Sequence, residues 1–270
     1  MKLACSIMMA PGNTFREKLL NVRSYGYEGV EIRILADEAT PERVAEMRQA
    51  LDETGMGVGA VIVPGPTYAL PFDTPESTEL KLGAARHALE VGAGLGAPTF
   101  ITPEYRPQPL PLWFPLRRLS AGEEELFYGF MAGVAEHAEK VSATAVLEPI
   151  NRYETHFYYS IADVMAVLDR VASPRINLVI DFFHMNMEEA DIPAAIESAA
   201  GLVRHVQLGD NNRLLPGRGH TDFVSGFAAL RRIGYDRYMA LECQIPPDPE
   251  RDLPACAAYL RLCLEASRSR

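Results

Sequence analysis

The chain has 270 residues, of which 48% are hydrophobic, and its formal net charge at pH 7 is −10. This length accommodates one large α/β barrel or two smaller domains. The acidic balance excludes an extended nucleic-acid surface, because phosphate binding requires clustered lysines and arginines. No apolar run is long enough to cross a bilayer, and the N-terminal run is too short for a signal sequence.

The cysteines indicate the compartment. Their spacing contains no CxxC pair, and they are few for a chain of this length: Cys5, Cys243, Cys256 and Cys263. This usage predicts reduced thiols in a cytoplasmic protein rather than a disulfide framework or a zinc cluster.

Short apolar runs recur along the whole chain and alternate with segments of helical periodicity. Strict β-α alternation with eight strands in about 250 residues predicts a parallel (β/α)8 TIM barrel that forms a single domain over residues 1–270. An open doubly wound sheet is the alternative, but no GxGxxG motif follows the first strand. The predicted strands are Leu3–Met8, Val30–Arg33, Val58–Val63, Thr99–Thr102, Ala145–Ile150, Ile176–Asp181, His205–Gly209 and Met239–Cys243.

Helix boundaries follow the same alternation. Thr40-Pro41 predicts an N-cap followed by proline at the first helical position, and Ser120 and Ser160 each begin a capping box. Glycines at 26, 55 and 234 stand where helices are expected to end. One segment departs from this pattern, the proline-rich residues 103–120, which contain the single tryptophan, Trp113. A loop of this length is typical of a lid, a binding loop or an interface.

Oxygen-bearing side chains stand at the ends of four consecutive predicted strands. They are Glu148 in AVLE, Asp181 in LVID, Gln207 in HVQLGD and Glu242 in MALEC. The carboxyl ends of barrel strands form the active-site face, so we expect these groups to converge. Two unit charges 4 Å apart interact with about 4 kcal/mol at an effective dielectric near 20, and a divalent cation removes that repulsion. An all-oxygen ligand set favours Mn²⁺ or Mg²⁺ over Co²⁺ or Zn²⁺.

Polar residues beyond these strand ends extend the predicted site. His184 follows Asp181 by three residues, and Glu154 follows Glu148 by six. The segment GDNNRLLPGRGHTDF (209–223) offers Arg213 to hydroxyl or phosphate groups, and its glycines allow a tight turn.

The region from about Thr144 to Cys243 resembles the xylose-isomerase-like barrel superfamily, and within it the ketose 3-epimerases and hydroxypyruvate isomerase. The resemblance is carried by LEPINRYE, DFFHMNMEE, HVQLGDNNRLLPGRGHTDF and ALEC, together about a third of the chain. GYEGVEIR, in the N-terminal half, adds a weaker match.

The resemblance implies a metal-dependent isomerase or epimerase that acts on a sugar or hydroxy-carbonyl substrate through an enediolate. It places the metal on Glu148, Asp181, Gln207 and Glu242, with Glu148 and Glu242 as the two proton-transferring bases. It also implies a homodimer or homotetramer. The 3-epimerases have a histidine at the position of Gln207. Hydroxypyruvate isomerase has a glutamine there, as this chain does. The resemblance further implies that three residues bind the oxygens of the substrate: Glu154, His184 and Arg213.

Three alternatives accompany this prediction. An endonuclease IV type enzyme would require a histidine-rich trinuclear zinc site and a basic groove, and the chain has six histidines and an acidic charge. An inosose-type dehydratase uses a similar barrel and metal. A non-catalytic sugar-binding domain would not require two opposed bases.

Overall fold

The computed structural model describes residues 1–67, 70–101 and 118–270. Within these ranges, eight parallel strands form a closed barrel in which neighbours in sequence are neighbours in space and the last strand pairs with the first. The predicted single-domain TIM barrel is therefore confirmed. The strands are β1 (Lys2–Ser6), β2 (Gly29–Arg33), β3 (Gly57–Ile62), β4 (Thr99–Phe100), β5 (Ala145–Leu147), β6 (Ile176–Asp181), β7 (Val203–Leu208) and β8 (Tyr238–Leu241).

Helices connect the strands and cover the outside of the barrel. They are α1 (Phe15–Ser24), α2 (Pro41–Thr54), α3 (Pro75–Leu95), α4 (Ala121–Lys140), α5 (Ile161–Val171), α6 (Phe182–Glu188), α7 (Ile192–Ser198), α8 (Phe223–Arg232) and α9 (Pro249–Ala266), with short 3-10 turns at Ile7–Met9 and Ser267–Ser269. No helix in the described ranges is long and apolar enough to span a membrane.

The helix starts agree with the predicted capping residues. Thr40 caps α2 with Pro41 at its first position, and complete capping boxes at Ser120 and Ser160 begin α4 and α5. Gly55 ends α2 in the left-handed conformation with a φ of 67°. Most of the proline-rich segment lies outside the described residues, so its predicted role as a lid, binding loop or interface stays a prediction.

The strand residues alternate between two cores. Val30 and Ile32 of β2 belong to the large core between strands and helices, whereas Val146 and Val179 belong to a smaller apolar cluster inside the barrel. Below the mouth, His205 and Tyr238 also face inward, because Gly59 and Gly57 leave the space that their rings occupy. The residues ending the strands on this inner side therefore point toward the mouth.

Six strands end one to three residues earlier than the sequence pattern predicts, and two of them, β5 and β8, precede predicted site residues. β5 stops at Leu147, before Pro149, which has no backbone N–H to continue the ladder. β8 stops at Leu241, although Glu242 N still donates to Leu208 O at 3.2 Å. Glu148 and Glu242 therefore stand just past their strands, at the start of the connecting loops.

Candidate active site

The predicted site residues lie on adjoining strands at the carboxyl end of the barrel. Asp181, the last residue of β6, is paired in register with Gln207 of β7. Glu148 follows β5 and Glu242 follows β8. Asp181 and Gln207 are almost fully buried, Glu148 is 8% exposed, and the Glu242 side chain is 27% exposed.

Glu148, Asp181 and His184 form a group of buried side chains whose oxygen and nitrogen atoms lie within 4.8 Å of one another, a spacing that could hold a metal ion. His184 Nε2 lies 3.5 Å from Glu148 Oε1 and 3.5 Å from Asp181 Oδ2. The local sequence explains the arrangement: Asp181 caps α6 by accepting from Phe183 N at 2.9 Å, and the first helical turn returns His184 to the carboxylate.

Asn151 determines the protonation of His184. The Asn151 backbone N–H approaches His184 Nδ1 at 3.3 Å, and its side-chain Nδ2 lies 2.8 Å from the same atom. A backbone N–H can only donate, so Nδ1 accepts and the proton of the neutral ring resides on Nε2. Burial lowers the His184 pKa, with the Asp181 charge acting in the opposite direction, so the neutral ring is favoured. His184 is therefore a donor toward the site.

Arg213 bridges two of the carboxylates. Its guanidinium pairs with Asp181 and also contacts Glu242 Oε2 at 3.1 Å, while its charge lies 4.5 Å from the centre of the Phe183 ring. Burial lowers the Arg213 pKa, but the carboxylates of Asp181 and Glu242 raise it by more, so the group stays charged.

Arg213 is one of three non-glycine residues with positive φ in the described ranges, at 61°. This conformation is costly for a residue with a side chain, and it persists where the surroundings impose it. Arg213 lies in the Asp210 loop (residues 210–221), where its N–H donates to Asp210 O at 2.8 Å. From outside the loop, Gln244 N donates to Arg213 O at 2.8 Å.

The Asp210 side chain holds this loop together. Its two oxygens accept from four backbone N–H groups between 2.8 and 3.1 Å away, those of Asn211, Gly217, Gly219 and Thr221. Burial raises the Asp210 pKa, but the hydrogen bonds outweigh it and the pKa lies below its ordinary value. A Cβ at residue 219 would lie 2.4 Å from Asp210 Oδ1, so this position requires glycine.

The electrostatics of the mouth show an excess of negative charge. Burial, followed by the charges of Glu242 and Asp181, raises the Glu148 pKa well above its ordinary value. Burial also raises the Glu242 pKa to about 7, against the lowering effect of Arg213. Buried carboxylates that hold their protons this strongly lack sufficient positive charge around them.

Unpaired oxygens accompany this charge excess. Glu148 Oε1 and Gln207 Oε1 are buried and have no hydrogen-bond partner among the described residues. Such atoms are rare in folded proteins and call for a ligand, water or ion. Buried carboxylate and amide oxygens are donors that suit a hard divalent cation, so the residues present fit one.

Two residues that the pattern of strand ends does not predict belong to this site. Glu31, inside β2, accepts from Gln207 Nε2 at 2.9 Å. Asn151 contacts both His184 and Glu154, and it donates to Glu154 Oε1 at 2.7 Å. GYEGVEIR and LEPINRYE contain these residues, but their roles depend on the side chains that face them across the barrel.

The fold and site agree with the relationships of the chain. A family model described as "Xylose isomerase-like TIM barrel" matches residues 19–263, and the chain belongs to this family. The resemblance found in the sequence is thereby confirmed.

The characterised relatives are sugar epimerases. The 3-dehydro-D-guloside 4-epimerase of Escherichia coli K12 is 28% identical over 257 residues, which cover 92% of this chain and 94% of the relative. The ketose 3-epimerase of Arthrobacter globiformis is 27% identical over 90% of this chain and 83% of its own. The L-ribulose 3-epimerase of Mesorhizobium japonicum is 38% identical over a shorter stretch, 42% of this chain and 38% of its own.

Solved structures repeat this relationship. The E. coli 3-keto-D-glucoside 4-epimerase YcjR superimposes with a TM-score of 0.86 at 25% identity, over 97% of this chain and 100% of its own. An L-ribulose 3-epimerase superimposes with a TM-score of 0.85 at 22% identity, over 99% and 96% of the two chains, and this second likeness shows the shared fold.

Proposed function

We propose that the chain is a divalent-metal-dependent sugar epimerase that inverts a carbon next to a ketone. The names of its relatives describe one reaction type, since position 3 of a ketose and position 4 of a 3-keto-glucoside both adjoin the carbonyl carbon. The observation that carries the proposal is the pair of buried oxygens without a hydrogen-bond partner among the described residues, Glu148 Oε1 and Gln207 Oε1, beside Asp181 at the mouth of a barrel of this family.

The metal would be held by Glu148, Asp181, Gln207 and Glu242, with Mn²⁺ or Mg²⁺ favoured by the oxygen donors. When bound, it would supply positive charge to the oxygen that becomes negative as the substrate loses its proton. The unpaired oxygens of Glu148 and Gln207 and the raised pKa values of Glu148 and Glu242 support this assignment. Arg213, which already pairs with Asp181 and Glu242, would remain beside them.

Glu148 and Glu242 would transfer the proton. Inversion requires removal of a proton from one face of the substrate and its return to the other, so two carboxyl groups must flank the reacting carbon. Glu148 follows β5 and Glu242 follows β8, three strands apart around the barrel, so a substrate in the mouth would lie between them. A positioned carboxylate contributes roughly 10²–10⁴-fold to such a proton transfer.

Substrate oxygens would be held by Glu154, His184 and Arg213. The neutral His184 ring with its proton on Nε2 is a donor suited to a carbonyl or hydroxyl oxygen, and this use accounts for the tautomer that Asn151 imposes. The charged Arg213 would add a second donor. Glu154, oriented by Asn151, would accept from a sugar hydroxyl.

The test is solvent-proton exchange. The metal-free protein, reloaded with Mn²⁺ or Mg²⁺, is incubated in D₂O with a panel of ketoses, including L-ribulose and D-psicose, and with 3-keto-D-glucosides. We expect an epimer that carries deuterium at the inverted carbon, and no product after chelation. Glu148→Gln and Glu242→Gln should each reduce turnover at least about 10²-fold, whereas the matched surface change Glu265→Gln should not.

Two results would contradict the proposal. Near-normal turnover in Glu242→Gln would remove the two-base mechanism. Absence of epimerisation across the whole panel, with water loss from an inosose instead, would favour the dehydratase.

A further inference from the structure

Glu31 is a carboxylate in the middle of an otherwise apolar strand. Its neighbours in β2, Val30 and Ile32, face the core between strands and helices, so Glu31 faces the barrel interior, where it is 2% exposed. Its charge contributes to the raised pKa values of both Glu148 and Glu242, which places it close to the mouth. A buried carboxylate that adds to existing repulsion must serve a purpose that offsets this cost.

Two N–H groups meet on one oxygen of this carboxylate. Glu31 Oε2 accepts from His205 Nε2 at 2.7 Å and from Gln207 Nε2 at 2.9 Å. Both donors belong to β7, where they stand two residues apart on the inner side of the strand. The carboxylate is therefore tied to β7 from the opposite side of the barrel interior, since β2 and β7 are separated by β8 and β1.

The bond to Gln207 fixes the direction of its amide. A glutamine side chain presents a carbonyl oxygen at one end and an NH₂ group at the other, and a half-turn exchanges them. An ionised carboxylate can only accept, so the NH₂ group must face Glu31 and the carbonyl oxygen must face away. That oxygen, Gln207 Oε1, is one of the buried atoms that have no hydrogen-bond partner among the described residues.

We propose that Glu31 is a positioning residue that holds Gln207 with its carbonyl oxygen free to bind the divalent cation. This inference rests on the metal centre of the proposed function. Without Glu31, either end of the amide could face the centre, and the NH₂ end repels a cation. The same carboxylate would orient a histidine at residue 207, because one ring N–H would donate to it and the other nitrogen would face away.

The test measures Mn²⁺ binding directly, by the electron paramagnetic resonance signal of free Mn²⁺, and does not depend on activity. Glu31→Gln retains the size of the side chain but offers an NH₂ group as well as an oxygen, so it no longer dictates the direction of Gln207. We expect the dissociation constant for Mn²⁺ to rise about 10–100-fold, as for other residues that orient metal ligands. Gln207→Ala should lose a similar factor, and the double variant little more.

His205→Phe is the matched control. It removes the other donor from the same Glu31 oxygen but leaves Gln207 in place, and the ring would adjoin Phe100, whose centre lies 6.0 Å from that of His205. We expect its Mn²⁺ affinity to stay within about threefold of the wild type. Thermal melting of each variant in chelator reports any loss of fold separately from loss of metal affinity.

Four outcomes decide the inference. Unchanged Mn²⁺ affinity in Glu31→Gln would overturn it and leave the proposed function standing, as would equal losses in Glu31→Gln and His205→Phe. A wild-type protein that binds no Mn²⁺ would overturn both the inference and the metal centre. If Glu31→Gln does not fold, Glu31→Asp decides: its shorter side chain withdraws the carboxylate from the Gln207 amide, so the dissociation constant for Mn²⁺ should rise about 10–100-fold, and an unchanged dissociation constant would overturn the inference.

Discussion

At the scale of single residues, the site depends on which atom of a side chain carries a proton. His184 could either bind a cation through a bare Nε2 or donate from a protonated one, and the two roles are exclusive for a neutral ring. The backbone N–H of Asn151 occupies Nδ1 and leaves the proton on Nε2. The proton on Nε2 therefore favours substrate binding over metal ligation for His184, although this atom lies 3.5 Å from both Glu148 and Asp181.

This assignment makes Asn151→Asp informative. Aspartate would replace the side-chain amide, now 2.8 Å from Nδ1, with a charged acceptor. A charge-assisted bond from a protonated Nδ1 is stronger than the longer 3.3 Å contact from the backbone N–H, so the ring proton should move from Nε2 to Nδ1 and the donor proposed to hold the substrate should be lost. We expect kcat/KM to fall about 10²-fold, the loss typical of one donor to a developing oxyanion. Nitrogen NMR of the ring should show a protonated Nε2 in the wild type and a protonated Nδ1 in the variant. An unchanged tautomer with lowered activity would contradict the explanation.

The sequence predicts some of these residues and not others, for a physical reason. Glu148, Asp181, Gln207 and Glu242 are predictable because the fold class alone places strand ends at one mouth. Glu31 lies within its strand, two residues before the end. Its proposed role depends on the Gln207 amide, which donates to it across the barrel. Pairings between strands this far apart in sequence leave no local pattern.

At the scale of elements, the Asp210 loop acts as a rigid support for Arg213. Four backbone N–H groups on one carboxylate fix the path of the chain from residue 210 to residue 221. Asp222, the residue after the loop, caps α8, so both ends of the loop adjoin regular structure. The positive φ of Arg213 is a consequence of this closure and directs its side chain to Asp181 and Glu242.

Asp210→Asn should destabilise this loop. The amide keeps one accepting oxygen, but its NH₂ group would face backbone N–H groups that also need an acceptor. Leaving these buried donors unpaired should cost about 2–4 kcal/mol in total. Urea denaturation at pH 7 should show a free energy of unfolding lower by that amount. An equally stable Asn variant would mean that the loop is held by its other contacts.

The pH dependence of that difference follows from the pKa of Asp210. Because the folded pKa lies below its ordinary value, near 3.9 when unfolded, the contribution of the carboxylate to stability is fully present above the unfolded pKa. It is lost as the pH falls through the folded pKa. The stability gap between wild type and Asp210→Asn should therefore be constant from pH 7 to about 5 and narrow below about pH 4.

Element boundaries were predictable where a side chain determines them. The Thr40, Ser120 and Ser160 caps begin helices where the sequence indicates, because the capping bond is local. The sequence pattern places six strand ends too late, those of β5 and β8 among them, because residues of strand-like character continue past the point where the chain leaves the barrel. α6 was not predicted: its first turn depends on the Asp181 side chain accepting from Phe183 N.

At the scale of the whole molecule, the barrel forces acidic groups together that an open chain would keep apart. Glu31, Glu148, Asp181 and Glu242 come from four different strands or strand ends, and closure of the sheet brings their charges within mutual influence. The folded protein without a cation therefore bears a repulsion that the unfolded chain does not. Binding a cation should raise the stability of the entire barrel, not of one loop.

Mn²⁺ should accordingly raise the melting temperature of the whole protein. At a free concentration of 100 times the dissociation constant, binding to the folded state adds about 2.7 kcal/mol, which corresponds to roughly 5–10 °C for a chain of this size. Differential scanning calorimetry with and without chelator measures the shift. K⁺ at matched ionic strength controls for general screening.

Glu148→Gln tests whether the Glu148 carboxylate adds to the charge repulsion at the mouth or stabilises the fold. Burial and the charges of Glu242 and Asp181 disfavour the ionised Glu148, so its neutral replacement should melt at or above the wild-type temperature in chelator. The same variant should lose most of the Mn²⁺-dependent rise, because one ligand is weakened. A full Mn²⁺-dependent rise in the melting temperature of Glu148→Gln would place the ion elsewhere on the molecule. A large loss of stability in chelator would mean that Glu148 stabilises the fold itself rather than serving to bind a cation.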